Sequence, residues 1–282
     1  MGLSSGRSGR LRTFSSFKPT GSIFSKLITD RRGTVAYLVL NTPARRNAIS
    51  LDMWQAIPCI MAQLGQDPEI RCIVITGAGT EAFAAGADIS EFEANRASGD
   101  TARIYDAATH GAIAAIMDTG KPVVAAIRGI CFGGGVAIAM ACDLRIAATD
   151  ARFCIPAARL GLGYGLSGTA NLVASLGMAT ATEMLLTART YTAHEALLRG
   201  IVHQVAPAPD FDTVVSGYAG SLAANAPLSM AASKLAIRLA VTGDPGLRIA
   251  AEEAAAACTQ SADYAEGRLA FAEKRKPRFN GT

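Results

Sequence analysis

Three short apolar runs, separated by stretches of helical pattern, constrain the fold of this chain more than any other feature. The runs read RCIVITGAG, KPVVAAIRG and DLRIAAT, and each has the character of a buried strand. Helical patterns lie between them, roughly over 100–118 and 134–142. Strands that alternate with helices are typical of parallel βαβ units, so the sequence predicts an α/β fold.

The regions on either side of these runs extend the prediction. Two β-rich runs, SIFSKLIT and TVAYLVLN, flank the polar stretch 30–33, which indicates a hairpin. In the following loop, NTPARRNAIS, Ser50 can cap a helix that begins near Leu51, and Pro58 should kink that helix or limit its start. After about residue 170 the pattern is helical except for a short strand at IVHQVAP. We therefore expect an α/β core followed by a helical region.

The basic excess of the chain is confined to its beginning. The formal charge is +4, from 27 basic and 23 acidic residues among 282. Five of the basic residues precede the first acidic residue, Asp30, so the other 22 face 23 acidic ones. A nearly neutral body does not favour nucleic acid as a partner. No apolar run approaches the ~20 residues of a membrane helix, so a membrane is not expected as a partner either.

The first 21 residues are rich in Ser, Gly and Arg. They are compatible with a mitochondrial transit peptide, or with a disordered extension or a misplaced start. We expect a cytoplasmic protein, or one of the mitochondrial matrix if the segment is a transit peptide. Six scattered cysteines form no CxxC pair and indicate free thiols in a reducing compartment. Three distant histidines give no ligand spacing, so no metal site is expected.

Two glycine-rich segments imitate a dinucleotide-binding fingerprint. They are GAGTEA at 77–82 and GYGLSG at 163–168. A true fingerprint follows a strand, opens a helix and has an acidic residue ~20 positions later for the ribose. The first segment does not continue into a helix, and the second follows Pro156 and an irregular stretch. A Rossmann domain is therefore not the favoured interpretation.

A second pair of glycine-rich turns is a better candidate for a binding site. FAAGADISEF at 83–92 and GICFGGGVAIAM at 129–140 each follow a predicted strand. Glycine lets the backbone approach a ligand closely, and the second turn opens a helix, whose first N–H groups favour an anion. One N–H from each turn can point at the same oxygen and form an oxyanion hole. The spacing alone is equally compatible with tight turns of a packed α/β domain.

Five ordered blocks resemble the crotonase (enoyl-CoA hydratase/isomerase) superfamily, from about residue 22 to 280. They are LNTPARRNAIS, FAAGADISEF, KPVVAAIRGICFGGGVAIAMACDLRIA, TARTYTAHEALLRGIVHQV and FAEKRKPRF. The resemblance implies an α/β fold in which a spiral core of repeated ββα units precedes a C-terminal helical trimerisation region. On this basis 1–21 is an extension, 22–207 the core and 208–282 the oligomerisation region, in a homotrimer or a dimer of trimers.

The resemblance also implies a substrate and its contacts. The family binds acyl-CoA thioesters without a permanent cofactor, since coenzyme A is part of the substrate. The two N–H groups that hold the thioester oxygen should be those of Ala87 and Gly134. Residues expected along the coenzyme A lie in the ARRN and GADI loops and near the C-terminus: Arg45, Arg46, Ala85, Asp88, Ile89, Lys274 and Lys276.

The chain departs from the family where the chemistry is done. Hydratases of this family carry glutamates at two positions that are occupied here by Ala137 and Ala157. Adding water across a C=C bond needs a positioned acid or base, and alanine supplies neither. Tyr164 can donate a proton in their place, and Arg159 can bind a substrate carboxylate through its planar fork.

Other polar groups near these motifs are weaker candidates. His110 is predicted on the helix before KPVV, and Asp88 and Glu91 flank the first glycine turn. Each can equally have a purely structural role.

Three functions remain open at this point. The first is an enoyl-CoA hydratase/isomerase-type lyase with non-standard acid and base groups. The second is a decarboxylase or thioester hydrolase that uses the same enolate. The third is a non-catalytic acyl-CoA-binding protein.

Overall fold

The computed structural model describes residues 23–88 and 99–282. The predicted extension 1–21, Ile89 and Glu91 lie outside the described residues. The described strands are β1 Leu27–Arg32, β2 Val35–Leu40, β3 Cys72–Gly77, β4 Ala82–Ala84, β5 Val123–Ile127, β6 Ile130–Phe132, β7 Leu144–Ala148, β8 Arg152–Cys154, β9 Tyr191–Thr192 and β10 Gln204–Ala206.

Helices make up most of the remaining described chain. They are α1 Ile23–Lys26, α2 Leu51–Gln66, α3 Gly99–Asp118, α4 Gly134–Ala141, α5 Leu166–Thr187, α6 Ala193–Leu198, α7 Phe211–Ala223, α8 Pro227–Thr242, α9 Arg248–Gln260 and α10 Ala262–Ala272. Helix α5 is interrupted at Gly177, where φ is 72°. None of the described helices has the length and apolar character needed to cross a membrane.

The strands form two sheets. The larger has the order β1-β2-β3-β5-β7-β10, and the smaller has the order β4-β6-β8-β9. All neighbours are parallel except β1 with β2 and β8 with β9. From β3 to β8, each successive strand pair sends one strand to each sheet, and helix α4 follows the β5–β6 pair directly. The α/β fold with ββα units that the sequence predicts is confirmed.

The core lies on both faces of the larger sheet. Alternate residues of β3 point to opposite sides, so Ile73 and Ile75 join one buried cluster while Cys72 and Val74 join another. The first cluster is covered by α2, α3 and α4, and the second by α7. Burial on both faces explains why the parallel strands are continuous apolar runs, which made them recognisable in the sequence.

The first hairpin is confirmed, but Ile23–Lys26 of its predicted first strand forms helix α1, and its turn is not where the polar residues suggested. Strand β1 continues through Asp30–Arg32, and the turn consists of Gly33, with φ of 62°, and Thr34. The polar side chains of Asp30–Arg32 suit an edge strand, which has solvent along one side. Arg32 donates a hydrogen bond to the Asp30 carboxylate at 2.9 Å, and its guanidinium lies over the Tyr37 ring.

Helix α2 begins where expected and differs in two details. It continues through Pro58 to Gln66, so this proline does not limit its start. Ser50 is the N-cap residue, but its side chain makes no capping bond to the helix backbone. Instead the hydroxyl donates a hydrogen bond to the Asp52 carboxylate and accepts one from Lys26 at 3.3 Å. The carboxylate therefore accepts hydrogen bonds from the Ser50 hydroxyl and from the Met53 N–H, the latter at 2.9 Å.

Candidate active site

The first glycine turn is fixed by a backbone bridge that leaves one amide directed outwards. Ile49 forms a parallel bridge with Ala87. The Ile49 N–H donates to Gly86 O at 2.8 Å, and Asp88 N–H donates to Ile49 O at 3.1 Å. The bridge thus uses the residues on both sides of Ala87, so the Ala87 N–H points away from Ile49.

The second glycine turn opens helix α4. Gly133, with φ of 47°, is the N-cap residue, and its N–H donates to Cys154 O at 2.9 Å. Gly134 is the first residue of the helix, so its N–H has no acceptor within the helix and lies at the positive end of the helix dipole. Within residues 23–88 and 99–282, neither the Ala87 nor the Gly134 N–H has a hydrogen-bond acceptor.

The two turns touch, and glycine is what allows it. A Cβ on Gly86, whose φ is 111°, would lie 3.3 Å from Phe132 O and 3.6 Å from Gly134 N. A Cβ on Gly135 would lie only 2.5 Å from Ala84 O, well inside van der Waals contact. The backbone of α4 is therefore seated directly on the β4 segment that leads to Ala87.

A buried indole supports the second turn from below. Trp54 on α2 has no exposed surface, and its Cζ2 atom would lie 3.0 Å from a Cβ on Gly134. The indole Nε1–H donates to the Tyr105 hydroxyl on α3 at 3.1 Å. Sequence reasoning did not identify either residue. The available signal was that Trp54 is the chain's single tryptophan.

The two alanines that the resemblance places at the family's glutamate positions are both partly accessible to solvent. Within 135–141, Ala137 is the one residue that is not buried. Ala157 begins a short 3₁₀ turn that ends at Leu160, and it is also half-buried. Both pack against the larger core cluster. Since neither methyl group can carry a proton, acid–base chemistry needs a group from elsewhere.

The loop that precedes α2 closes against the first glycine turn. Arg45 forms an ion pair of 2.5 Å with the buried carboxylate of Asp88. Arg46 is exposed, with φ of 50°, and its carbonyl accepts the Ala85 N–H at 2.9 Å. The structure therefore brings together Arg45, Arg46, Ala85 and Asp88, for which the family resemblance implies contacts with coenzyme A.

Asn47 holds this loop in place, although the sequence reasoning did not select it. Its side chain is buried, and its Nδ2 donates to Ala78 O at 2.9 Å and to Ala82 O at 2.7 Å. Its Oδ1 accepts the Thr42 N–H at 3.1 Å. The φ of 54° is one that asparagine tolerates better than most residues. The amide thereby connects the loop to the β3–β4 connection.

Tyr164 and Arg159 lie on the segment that follows β8. The Tyr164 ring is half-buried against the larger core cluster and touches Gly168, where a Cβ would be 2.8 Å from Cε1. Burial raises the pKa of Tyr164 to about 12, so the hydroxyl keeps its proton at neutral pH. Arg159 is exposed and makes no ion pair within the described chain.

Cys154 connects this segment to the second glycine turn. Burial raises the pKa of its thiol, while a hydrogen bond with Thr190 and the charge of Arg159 act in the opposite direction. Arg159 is thus close enough to influence the residue whose carbonyl holds Gly133.

The remaining candidates are not assembled with the glycine turns. Lys274 and Lys276 are exposed, and Lys276 borders an open groove formed only by residues between 262 and 280. His110 is exposed on α3. Among the residues that the structure describes, no group of His, Cys, Asp and Glu side chains could hold a metal ion.

Both the sequence and the fold of this chain are similar to those of known proteins. Residues 30–282 match the family model described as enoyl-CoA hydratase/isomerase. Short-chain-enoyl-CoA hydratase of Clostridium acetobutylicum is 34% identical over 254 residues, which are 89% of this chain and 96% of that protein. (E)-benzylidenesuccinyl-CoA hydratase of Thauera aromatica is 34% identical over 252 residues, with coverage of 88% and 96%. The crystal structure of an enoyl-CoA hydratase/carnithine racemase from Magnetospirillum magneticum has a TM-score of 0.87, 34% identity, and coverage of 91% and 96%.

Proposed function

The chain belongs to the enoyl-CoA hydratase/isomerase family, and we propose that it holds the thioester oxygen of an acyl-CoA with the N–H groups of Ala87 and Gly134. The observation that carries this proposal is the contact between the two glycine turns. Gly86 and Gly134 approach closely, and neither amide on this contact has an acceptor in the described residues. Two donors without acceptors beside a helix N-terminus form a site for developing negative charge.

The chemistry of a thioester suits such a site. When its α carbon becomes an enolate, the charge collects on the former carbonyl oxygen. Two fixed donors can meet that charge without a metal, and one such donor is worth about 3–4 kcal/mol. The substrate's own coenzyme A is then the only cofactor that the proposal requires.

The loop contacts suggest separate roles for the two arginines. Arg45 is engaged with Asp88, so it fixes the loop against the first glycine turn. Arg46 is exposed next to it and makes no ion pair within the described chain. We assign Arg46 to a phosphate of coenzyme A and Arg45 to the position of the loop, with Ala85 and Asp88 forming the adjacent wall.

Lys274 and Lys276 fit a coenzyme A bound to a neighbouring subunit. The groove that Lys276 borders contains no residue of the glycine turns, and the C-terminal helices carry apolar side chains that are largely exposed. Among these, Phe271 is 88% and Ile249 is 68% exposed. A homotrimer or a dimer of trimers would bury them, and light scattering of the purified protein tests this assembly.

The reaction is of the hydratase/isomerase type but needs unusual proton carriers. With alanine at 137 and 157, we assign Tyr164 as a proton donor on the side of Ala157. Its high pKa favours donation of a proton over service as a base.

One observation favours decarboxylation as a second candidate. Arg159 offers an exposed guanidinium on the segment that carries Tyr164. It can hold a substrate carboxylate until CO₂ leaves, and the enolate that remains needs only one proton.

Two assays separate these functions. Hydration of crotonyl-CoA at a rate far below that of a two-glutamate hydratase is expected, and a rate within about tenfold would refute the importance of the missing carboxylates. Release of CO₂ from malonyl-CoA that is lost in Arg159→Ala would support decarboxylation, whereas no release would remove it. If calorimetry detects no binding of any acyl-CoA, the proposed site itself is wrong.

A further inference from the structure

The hydrogen bond between Trp54 and Tyr105 lies beside the proposed oxyanion site. The Trp54 atom closest to Gly134 is Cζ2, and the atom bonded to Tyr105 is Nε1. Both atoms are attached to the same ring carbon, so one edge of the indole faces the glycine turn and the tyrosine together. Because Trp54 is completely buried, the position of this edge is set by the core.

The same hydrogen bond orients the tyrosine. A buried indole N–H needs an acceptor, and here the acceptor is the Tyr105 oxygen at 3.1 Å. The hydroxyl proton of Tyr105 must then point in another direction. Tyr105 is half-buried, and its helix α3 packs against both α2 and α4. The hydroxyl thus lies at the edge of the indole that faces Gly134, the first residue of α4.

We propose, on the basis of the function above, that Tyr105 is a catalytic residue that delivers a proton to the α carbon of the bound acyl group. It would work from the α3 side of the site, whereas Tyr164 belongs to the connection between the 3₁₀ turn that begins at Ala157 and helix α5. The chain would thereby replace one carboxylate on α4 with a phenol from α3. Trp54 acts as a positioning residue through its hydrogen bond to the phenol oxygen.

The proton transfer balances for hydration of an enoyl-CoA. The oxygen of water bonds to the β carbon, and the π electrons move towards the thioester oxygen, which Ala87 and Gly134 hold. The Tyr105 O–H bond then breaks as the enolate forms a C–H bond at its α carbon. The phenolate that remains is stabilised by the Trp54 N–H, and it recovers a proton from the added water. The sum is one water added across the double bond.

The test measures proton exchange at the α carbon and binding separately. Butyryl-CoA is incubated in D₂O with the full-length protein, and deuterium at the α carbon is followed by mass spectrometry. Binding is titrated by the fluorescence of Trp54, because the single tryptophan lies beside the site. Tyr105→Phe should lower the exchange rate ~10²–10⁴-fold and leave Kd within about threefold. Tyr218→Phe on α7, remote from the site, is the matched control and should change neither value.

The other outcomes are distinct. An exchange rate in Tyr105→Phe above about a third of the wild-type rate overturns the inference and leaves the proposed function intact. So does loss of exchange in Tyr164→Phe alone, or binding by the wild-type protein without any exchange. Absence of butyryl-CoA binding would instead refute the proposed function.

A second test uses the wild-type protein, so it does not depend on whether a variant folds. In a crystal structure of the wild-type protein with butyryl-CoA, the Tyr105 oxygen should lie within about 3.5 Å of the α carbon. A clearly longer distance would contradict the assignment even if the exchange data were ambiguous.

Discussion

Substituting Gly135 by alanine tests whether the seating of helix α4 on β4 creates the oxyanion site. The added Cβ would lie 2.5 Å from Ala84 O, whereas ordinary contact begins at 3.4 Å. The obstacle is backbone rather than a flexible side chain, so it cannot rotate away. The start of α4 must therefore move by about 0.9 Å relative to β4. Gly134 N–H would move with it, away from Ala87.

The displacement sets the expected loss of activity. A misplacement of about 1 Å in a catalytic group can cost ~10²-fold. At about 1.36 kcal/mol per factor of ten, this corresponds to about 2.7 kcal/mol of transition-state stabilisation. The loss of one oxyanion donor costs a similar amount. Overpacking should also lower the free energy of unfolding, by about 1–3 kcal/mol.

The assay is α-proton exchange of butyryl-CoA, measured at a temperature where circular dichroism shows the variant to be folded. Gly217→Ala on α7 is the control, because an added Cβ there meets no atom within 4 Å. The control should retain its exchange rate and gain slightly in stability. If folded Gly135→Ala exchanges within about twofold of the wild-type rate, the glycine contact does not set the site and the reasoning fails.

Three further predictions follow from individual contacts. Ala137→Glu should raise crotonyl-CoA hydration at least about tenfold over Ala137→Gln, since only glutamate adds an acid; equal rates would contradict this. Asn47→Ala should lower the free energy of unfolding, measured in urea, by about 2–4 kcal/mol. The carbonyl oxygens of Ala78 and Ala82 would lose their donor, and alanine would be strained at the φ of 54°. A loss below about 1 kcal/mol would show that the loop before α2 is held by other contacts. Iodoacetamide at pH 8 should modify exposed Cys59 in the native protein and leave buried Cys72 and Cys131 intact. Burial raises the pKa of Cys72 to about 12 and that of Cys131 well above its usual value. Rapid modification of either buried thiol, detected by mass spectrometry, would contradict this prediction.

The sequence predicts the larger sheet well because its strands are buried on both faces. Runs such as 72–75 and 123–127 are apolar throughout, and this composition identifies them without any partner. Strands β4, β6 and β8 have three residues each, which is too short for a period to emerge. The smaller sheet therefore could be expected only from the resemblance to a known fold.

The candidate site also contains a part that local sequence motifs predict and a part that they do not. The two glycine turns could be selected because they are local features of the sequence, and the resemblance to a known family then pointed to Ala87 and Gly134. The Trp54–Tyr105 hydrogen bond joins side chains 51 positions apart, and the Arg45–Asp88 ion pair joins side chains 43 apart. Such pairs are created by the packing of helices and loops, so no local pattern contains them. The inferred role of Tyr105 depends on the position of Trp54 against Gly134, which no local pattern predicts.

The most direct test of the account is a crystal structure of the protein with an acyl-CoA bound. We predict that the thioester oxygen lies about 2.7–3.1 Å from the backbone nitrogens of both Ala87 and Gly134. A thioester oxygen bound elsewhere, or within reach of only one of these nitrogens, would contradict the account.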